Sequence, residues 1–494
     1  MISLGIDVGG TGCKCAAFSE QGEQLAQSYE EYPLAAGAVS LPPEVLTQSV
    51  FHVIRRCAEQ LANRSEIAAV TVSSFGESFV ALGQDGKALC DIQMYFGPDE
   101  SEAFDALVAK VGEKRLMEIC RVFPNCSYSL ANMLRTMQAF PRAVWKFLLI
   151  AGYLCYRLSG VAATDVSLAC RSLLYDVQRG GWSRELLDAS GIREDQLPQV
   201  VAPGVPVGTL LPAVAEALGL SPDTVVVMGA HDQIANALGA GVAQTGDAAD
   251  ASGTCECLTP LFPAIPDGLD MQKNNFACVP YLDSGQYVTY AYNISAGSVV
   301  RWVRDALAPH WQTEGKSVYD ALNEAAPQEP TRLVVLPFLQ GMGGTPEVDP
   351  AATGLIAGLT TQTRLPELYR AVLEGITFEM RYNMELLRED GVRIQRLLAC
   401  GGGARSRVWL QIKADILGCD ILPVRAQETG AMGSAILGFA AVTGESPLAI
   451  APRFRKVGEA IHPNPAHDET YDRRYAIFKQ LRATYKEVSR CLSR

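Results

Sequence analysis

A strand, a glycine turn and a second strand follow one another twice in this chain, and this repeat constrains its fold more than any other feature of the sequence. LGIDVGGTGCKCAAF at 4–18 and AADASGTCECLTPLF at 248–262 each end an apolar strand on an aspartate, Asp7 in the first copy and Asp250 in the second. Small residues and Gly-Thr follow, and the next strand carries Cys-x-Cys. The repeat predicts that both halves of the chain open with the same unit. A cleft between two such halves could hold a polyphosphate from both sides.

Strands and helices alternate along the rest of the chain. Apolar runs rich in β-branched residues predict buried strands at 67–75 and 224–230, and helical periodicity predicts helices at 43–63 and 365–388. This alternation is typical of α/β proteins, in which sheets and helices form layers. The length of 494 residues suits two large domains.

The composition narrows the classes of function. The chain has 42 Lys and Arg against 54 Asp and Glu, which gives a net charge of −12. Without a basic block, we expect no nucleic-acid partner and no membrane partner. None of the 14 cysteines forms C-x-x-C, and the five histidines do not have zinc-binding spacing. We therefore predict reduced thiols, most of them small core residues, in a cytoplasmic protein.

The first glycine turn has the residue types that hold a phosphate. Gly9 and Gly10 let the backbone approach an anion closely, and successive N–H groups can form an anion-binding nest. Asp7 at the strand end could hold a hydrated Mg²⁺, while Thr11 adds a hydroxyl and Lys14 a cation. The alternative is a plain β-hairpin whose glycines serve geometry alone. The G-x-x-x-x-G-K-[ST] loop is absent from this segment.

A second carboxylate, Asp232, follows the strand predicted at 224–230. In open α/β sheets, ligands bind where strands hand over to helices, so this position favours a functional role. The alternative is a helix N-cap, for which Asp is a preferred residue. His231 beside it is interpreted as a packed or orienting residue and not as a second base.

A run of three glycines, 401–403, lies between an apolar strand and a predicted helix. Such a turn suits a flat nucleobase or an α-phosphate packed against backbone. The alternative is a tight turn of no further function. Three consecutive glycines lose conformational entropy on folding that a simple turn does not require, which favours the functional interpretation.

Taken together and in this order, these segments resemble the FGGY carbohydrate kinases, a branch of the sugar kinase, actin and heat-shock chaperone ATPase superfamily. The first phosphate motif of that family is similar to residues 7–14, and its catalytic Gly-x-x-Asp-Gln to residues 229–233. The second phosphate motif resembles residues 252–254, the adenosine motif residues 401–415, and the C-terminal signature residues 354–374. The resemblance implies an α/β fold of two ribonuclease-H-like (actin-like ATPase) domains, 1–245 and 246–494, with a cleft between them.

The resemblance also implies ATP and Mg²⁺ as cofactors, a small sugar or polyol as substrate, and a possible homodimer. It makes Asp232 the catalytic base that takes the proton of the attacking hydroxyl, and makes Asp7 and Asp232 the metal ligands. We expect those two carboxylates on opposite sides of one gap. The nucleotide-binding residues that it implies are Gly9, Gly10, Thr11, Lys14, Ser252, Gly253, Thr254, Gly401, Gly402, Gly403 and Ser406.

The departures from the family pattern all fall on the sugar side. Xylulokinase-like members carry Gly-Gln-Met-His-Gly where this chain has Gly76, Glu77 and Ser78, and these residues, with Asp232, are the predicted substrate site. A carboxylate at Glu77 can accept hydrogen bonds from vicinal hydroxyls. The segment 94–99 replaces Trp-x-Asp-x-Arg, so an Asp and an Arg expected near the sugar are missing. These changes put xylulose itself in doubt.

Two alternatives remain open at this point. A ROK-type sugar kinase is suggested by Asp-Val-Gly-Gly-Thr at 7–11, although those chains are shorter and carry a zinc-binding cysteine cluster. A catalytically altered actin-like ATPase, or a nucleotide-binding protein with a lapsed sugar site, is suggested by the altered segment 94–99. The retained Asp232 favours a kinase over the altered ATPase and over the nucleotide-binding protein, since neither of these transfers phosphate to a sugar.

Overall fold

The computed structural model describes residues 1–35, 37–95, 101–311, 315–426 and 428–492. Its strands are β1 Ile2–Val8, β2 Gly12–Ser19, β3 Gln24–Glu31, β4 Ser40–Leu41, β5 Ile67–Ser74, β6 Phe79–Leu82, β7 Ile92–Gln93, β8 Lys146–Leu149, β9 Ala163–Asp165, β10 Tyr175–Asp176, β11 Gly181–Trp182, β12 Gln199–Val201, β13 Pro206–Thr209, β14 Val225–His231, β15 Asp247–Ser252, β16 Glu256–Phe262, β17 Val279–Pro280, β18 Tyr287–Val288, β19 Ala291–Asn293, β20 Val334–Leu336, β21 Leu355–Ala357, β22 Arg396–Cys400 and β23 Asp420–Pro423.

The α-helices lie between and after these strands. They are α1 Pro43–Glu59, α2 Glu102–Val111, α3 Glu113–Cys120, α4 Ser129–Ala139, α5 Ile150–Ser159, α6 Val166–Ala169, α7 Arg184–Ser190, α8 Pro212–Leu218, α9 Asp232–Ala240, α10 Asp270–Lys273, α11 Gly297–Trp302, α12 Val318–Ala325, α13 Leu365–Glu389, α14 Arg407–Leu417, α15 Thr429–Thr443, α16 Pro447–Phe454 and α17 Asp468–Leu492. Within the described part of the chain, none of them has the length and apolarity that a membrane crossing requires.

Two sheets of the same plan form the centre of the molecule, and they confirm the repeat. The first sheet has the strand order β13-β14-β5-β1-β2-β3, and the second has β17-β18-β16-β15-β22-β23, with β19 also paired to β16. In the first, β1 is antiparallel to β2 and parallel to β5. In the second, β15 is antiparallel to β16 and parallel to β22. Each half therefore opens with a hairpin whose first strand lies inside its sheet.

The apolar alternation of the opening hairpin explains its position in the core. Cys13 and Cys15, on alternate positions of β2, are both fully buried, as the sequence predicts for small thiols. The second Cys-x-Cys is different, since Cys255 is exposed and Cys257 only partly buried. Cys255 lies outside the strand, in the turn between β15 and β16, so the period-2 argument does not reach it. The cysteines are free thiols.

Helix α15 returns from the second half of the chain to pack on the first sheet and on α9. Its backbone comes so close that a Cβ atom on Gly5 of β1 would overlap the Ala431 carbonyl oxygen, and one on Gly433 would overlap that of Ala235. Ser434 donates a hydrogen bond to the Ile6 carbonyl at 3.2 Å. This contact brings the start of α15 to the end of β1, where the first predicted site residues lie.

Candidate active site

Asp7 and Asp232 lie at the same edge of the first sheet. Asp7 is next to Ser73 across β1 and β5, and His231, which precedes Asp232, is next to Ser74 across β14 and β5. The expectation that the two carboxylates face each other across the gap is therefore wrong. Since β1, β5 and β14 are parallel neighbours, their carboxyl ends meet at one edge.

Burial and like charge disfavour ionisation of both carboxylates. Burial first, then Asp7 and Glu77, raise the pKa of Asp232 to about 8. Burial also raises the pKa of Asp7 to about 6, which Lys14 partly offsets. Within the described residues, Asp232 Oδ1 is buried without a hydrogen-bond partner. His231 Nε2 is 3.3 Å from that oxygen, but burial lowers the pKa of His231 well below its ordinary value, so the pair is not ionic.

These carboxylates fit a divalent cation. Two carboxyl groups at one sheet edge, one of them with a free buried oxygen, gain a counter-charge when a cation binds. Among the described residues, no group of three or more His, Cys, Asp or Glu side chains could hold a metal ion. A two-carboxylate site is typical of Mg²⁺, which keeps several waters and binds substrate phosphates, and not of zinc.

The first glycine turn follows β1 directly. Gly9 donates to the Gly12 carbonyl at 2.9 Å and closes it. Lys14 pairs with Glu428 at 2.9 Å, just before α15, so its ammonium is held beside Asp7. A Cβ atom on Gly430 would lie 2.5 Å from Asp7 Oδ2, so the start of α15 leaves no room there for a side chain. No signal in the sequence pointed to either Glu428 or Gly430.

The second turn and the triple glycine meet in one cavity of about 460 Å³. Gly401 has φ 79°, in the left-handed region, and its Cβ would lie 2.7 Å from the Ser252 carbonyl oxygen. A Cβ on Gly403 would lie 2.6 Å from Ser252 Cβ. These glycines are therefore required for close packing on the second turn. Lining residues from the predicted set are Ser252, Gly253, Thr254, Gly402, Gly403 and Ser406.

Helices remote in sequence complete this cavity. Asn323 of α12 accepts hydrogen bonds at 2.8 Å from both Ser406 and Tyr369. Ser406 also caps α14, since its hydroxyl accepts from the Trp409 N–H. Asn323 carries no motif, so no local signal in the sequence identifies it.

The residues predicted to bind the substrate, Gly76, Glu77 and Ser78, lie beside Asp232. Glu77 has a partner that the sequence did not predict, Arg171. Glu77 has φ 64°, an unusual conformation for a residue with a side chain. Arg171 donates from Nε to Glu77 Oε1 at 2.5 Å, and both side chains are nearly buried. The guanidinium lies 4.8 Å from the ring centre of Tyr128 and 5.6 Å from that of Tyr290. Tyr290 comes from the second half of the chain, so both halves build this region.

Neighbouring residues fix this arrangement. A Cβ on Gly76 would lie 2.8 Å from Arg171 Cγ, so the ion pair packs directly on its backbone. The Ser78 hydroxyl donates to the Gln93 carbonyl at 2.8 Å and so ties the backbone at residue 93 to residue 78. Its role in substrate binding stays a prediction. His231 is buried and its Nδ1 lies 3.1 Å from the Tyr290 hydroxyl, in keeping with a packed or orienting residue.

The altered segment 94–99 is described only in part. Phe96 to Asp99, where the missing Asp and Arg would stand, lie outside the described residues. Tyr95 is described, and a Cβ on Gly10 would lie 3.6 Å from its hydroxyl. Burial, then Asp232 and Glu77, raise the pKa of Tyr95 to about 12. Tyr95 is therefore a site residue that the sequence reading missed.

We expect Asp232→Asn to stabilise the metal-free protein at about pH 8. The pKa of Asp232 in the folded protein, about 8, is above its ordinary value of 3.8, so the folded state binds more protons than the unfolded chain between those values. The group's contribution to the free energy of unfolding is fully present below about pH 4 and is lost as the pH rises to about 8. Asn has no charge to bury. Scanning calorimetry in chelator should show a Tm advantage of about 1–3 °C near pH 8 that shrinks near pH 5; a pH-independent difference would contradict the raised pKa.

Comparisons with known proteins find relatives along nearly the whole chain. Family models described as the N-terminal and C-terminal domains of the FGGY family of carbohydrate kinases match residues 2–239 and 268–442. Xylulose kinase from Bacillus subtilis (strain 168) is 26% identical over 500 residues, covering 99% of this chain and 98% of that protein. L-fuculokinase from Escherichia coli (strain K12) is 26% identical over 449 residues, covering 89% and 92%.

Solved structures show the same fold. The ligand-bound xylulose kinase from Lactobacillus acidophilus has a TM-score of 0.85 and 23% identity, with 98% of both chains covered. Plasmodium falciparum glycerol kinase with ADP has a TM-score of 0.83 and 17% identity, also with 98% of both chains covered. The predicted fold of two actin-like ATPase domains is confirmed.

Proposed function

The chain belongs to the FGGY family of carbohydrate kinases, and we propose that it transfers the γ-phosphoryl group of ATP to a ketose such as xylulose, or to a related pentose or polyol. Membership of this family makes it a phosphotransferase that acts on an alcohol group. The observation that carries this proposal is the partly exposed carboxylate of Asp232, which lies beside Asp7 and Glu77 and whose buried Oδ1 has no hydrogen-bond partner among the described residues. Relatives named xylulose kinase and L-fuculokinase support a ketose acceptor.

Asp232 acts as the general base in this proposal. Its carboxylate, which is 28% exposed, accepts a hydrogen bond from the acceptor hydroxyl and takes the proton late, because the phosphoryl-transfer transition state is loose. Ionisation of Asp232 near neutral pH requires a counter-charge, since burial raises its pKa to about 8. Mg²⁺ bound at Asp7 and Asp232 would supply that charge and neutralise the phosphates.

The two glycine turns bind the phosphates from either side of the cleft. Gly10 and Thr11 present backbone N–H groups from the first half, with Lys14 as a nearby cation, while Gly9 closes the turn through its bond to the Gly12 carbonyl. Residues 252–254 act from the second half, and residues 401–403 with Ser406 hold the adenosine. We propose the domain division at 245/246, with α15 docked back onto the first domain.

The acceptor site selects for uncharged hydroxyl compounds. Glu77 accepts hydrogen bonds from vicinal hydroxyls, and Gly76 brings its backbone close. Arg171 is already engaged by Glu77, so its charge is not available to an anionic acceptor.

A coupled assay of ADP release tests this function. The purified protein with MgATP is screened over ketoses, pentitols, glycerol and deoxy-sugars, with an aldonate as the anionic comparison. We expect at least one uncharged compound to raise ADP release well above the acceptor-free rate, and the aldonate to leave it unchanged. Slow hydrolysis that no compound stimulates would contradict the kinase and favour an actin-like ATPase with a lapsed sugar site.

A further inference from the structure

We propose that Lys413 is a built-in cation that holds the second phosphate turn in its binding shape and thereby sets the affinity for ATP, a role that rests on the nucleotide site proposed above. Lys413 is on α14, and its side chain is 1% exposed. It reaches from the helix to the turn end of the hairpin that β15 and β16 form. Asp250, the repeat partner of Asp7, is one of its contacts.

The lysine has one acceptor for each of its three N–H groups. Its Nζ lies 2.5 Å from Asp250 Oδ2, 2.5 Å from Glu256 Oε1 and 2.6 Å from Ser252 Oγ. The two carboxylates are at most 1% exposed. A buried ammonium that is fully hydrogen-bonded tolerates little displacement, because moving it leaves a buried charge unpaired.

Ser252 connects this cluster to the nucleotide cavity. Its side chain donates to Asp250 and accepts from Lys413, while its backbone packs on Gly401 and its Cβ on Gly403. Lys413 Nζ also lies 4.7 Å from the ring centre of Trp409, another residue that lines the cavity. One buried cation therefore supports both the turn and a wall of the cavity.

The first half of the chain treats the equivalent aspartate differently. Asp7 lies next to Lys14, which is partly exposed and paired with Glu428, so Asp7 keeps room for a dissociable cation. Asp250 is instead saturated by a cation that belongs to the chain. Burial lowers the pKa of Lys413, but Asp250 and Glu256 raise it above its ordinary value, so this cation stays charged. Among the described residues, the duplicated fold thus leaves the proposed Mg²⁺ position open at Asp7 and fills the equivalent position at Asp250 with Lys413.

Direct nucleotide binding tests the role of Lys413. In titrations with ADP and with ATP, without acceptor, Lys413→Met should bind each nucleotide at least about tenfold more weakly than the unmodified protein does. In turnover, KM for ATP should rise by about the same factor while KM for the acceptor stays within about twofold. A structural defect alone would not separate the two KM values.

Two further variants keep the test decisive. The apolar triple variant Asp250→Leu/Glu256→Leu/Lys413→Met removes all the buried charge, so its Tm should recover, yet its nucleotide affinity should stay low because Ser252 has lost its donor. The control Asp247→Asn/Arg396→Met removes an ion pair between β15 and β22, at the end of β15 far from Ser252, where the charged atoms are 2.7 Å apart. This control should bind ATP normally.

The outcomes separate the two proposals. A triple variant that binds ATP as tightly as the unmodified protein would overturn the role of Lys413. So would a control variant that loses as much affinity as Lys413→Met. An unmodified protein that binds neither ADP nor ATP would instead overturn the proposed function.

Discussion

Asp232→Asn should lower kcat by about 10³-fold or more while the protein still binds nucleotide. Asn fills the same space at the start of α9 and removes the carboxylate that accepts the proton and that we propose as a Mg²⁺ ligand. The largest loss is expected in kcat, because the hydrogen bond from the reacting hydroxyl to the carboxylate is stronger in the transition state than in the bound substrate. Single-turnover transfer from labelled ATP to the acceptor found in the screen measures this loss, and ADP titration measures binding.

A buried aspartate away from the site provides the matched control. Asp176 is 9% exposed and caps a turn by accepting from the Gln178 and Arg179 N–H groups at 3.1 and 3.0 Å. Asp176→Asn should leave kcat within about twofold, since it touches no part of the site. Near-normal turnover of Asp232→Asn would refute its role as base.

Arg171→Met should have the second largest effect, on both stability and the acceptor. It leaves Glu77 nearly buried without its cation, at a cost of about 3–5 kcal/mol of unfolding free energy. The freed carboxylate would also leave the position from which it can accept hydrogen bonds, so kcat/KM for the acceptor should fall by about 10²-fold. Denaturant unfolding and acceptor kinetics measure the two effects.

The double variant Glu77→Gln/Arg171→Met separates them. It removes both charges, so most of the stability should return, but the acceptor kcat/KM should remain low because the carboxylate is gone. KM for ATP should change little in either variant, since neither residue lines the nucleotide cavity. Recovery of full acceptor activity in the double variant would show that Glu77 and Arg171 serve structure alone.

The sequence predicted those parts of the site that local geometry determines. A glycine turn after an apolar strand can form a phosphate nest within a few residues, so residues 9–11, 252–254 and 401–403 could be predicted as nucleotide-binding without a structure, and these roles stay predictions. Asp232 stands at a strand-to-helix junction, but it was the family resemblance that made it the predicted base. The repeat around Asp7 and Asp250 predicted two sheets of one plan, which the strand orders confirm.

Residues that act through long-range contacts gave no such signal. Arg171 is 94 residues from Glu77, and Asn323 is 83 residues from Ser406. The sequence also could not place Asp7 and Asp232 on one sheet edge, because strand order depends on which strands pair and not on which are present.

The sequence by itself determined the family, the two hairpins and the glycine turns for which we propose phosphate binding, because each depends on residues that are neighbours along the chain. Only the tertiary structure decided which charges meet: Glu77 with Arg171, Lys14 with Glu428, and Asp250 with Lys413. Electrostatic energy and burial depend on distance in space, and chain folding brings together carboxylates and cations that sequence position does not relate.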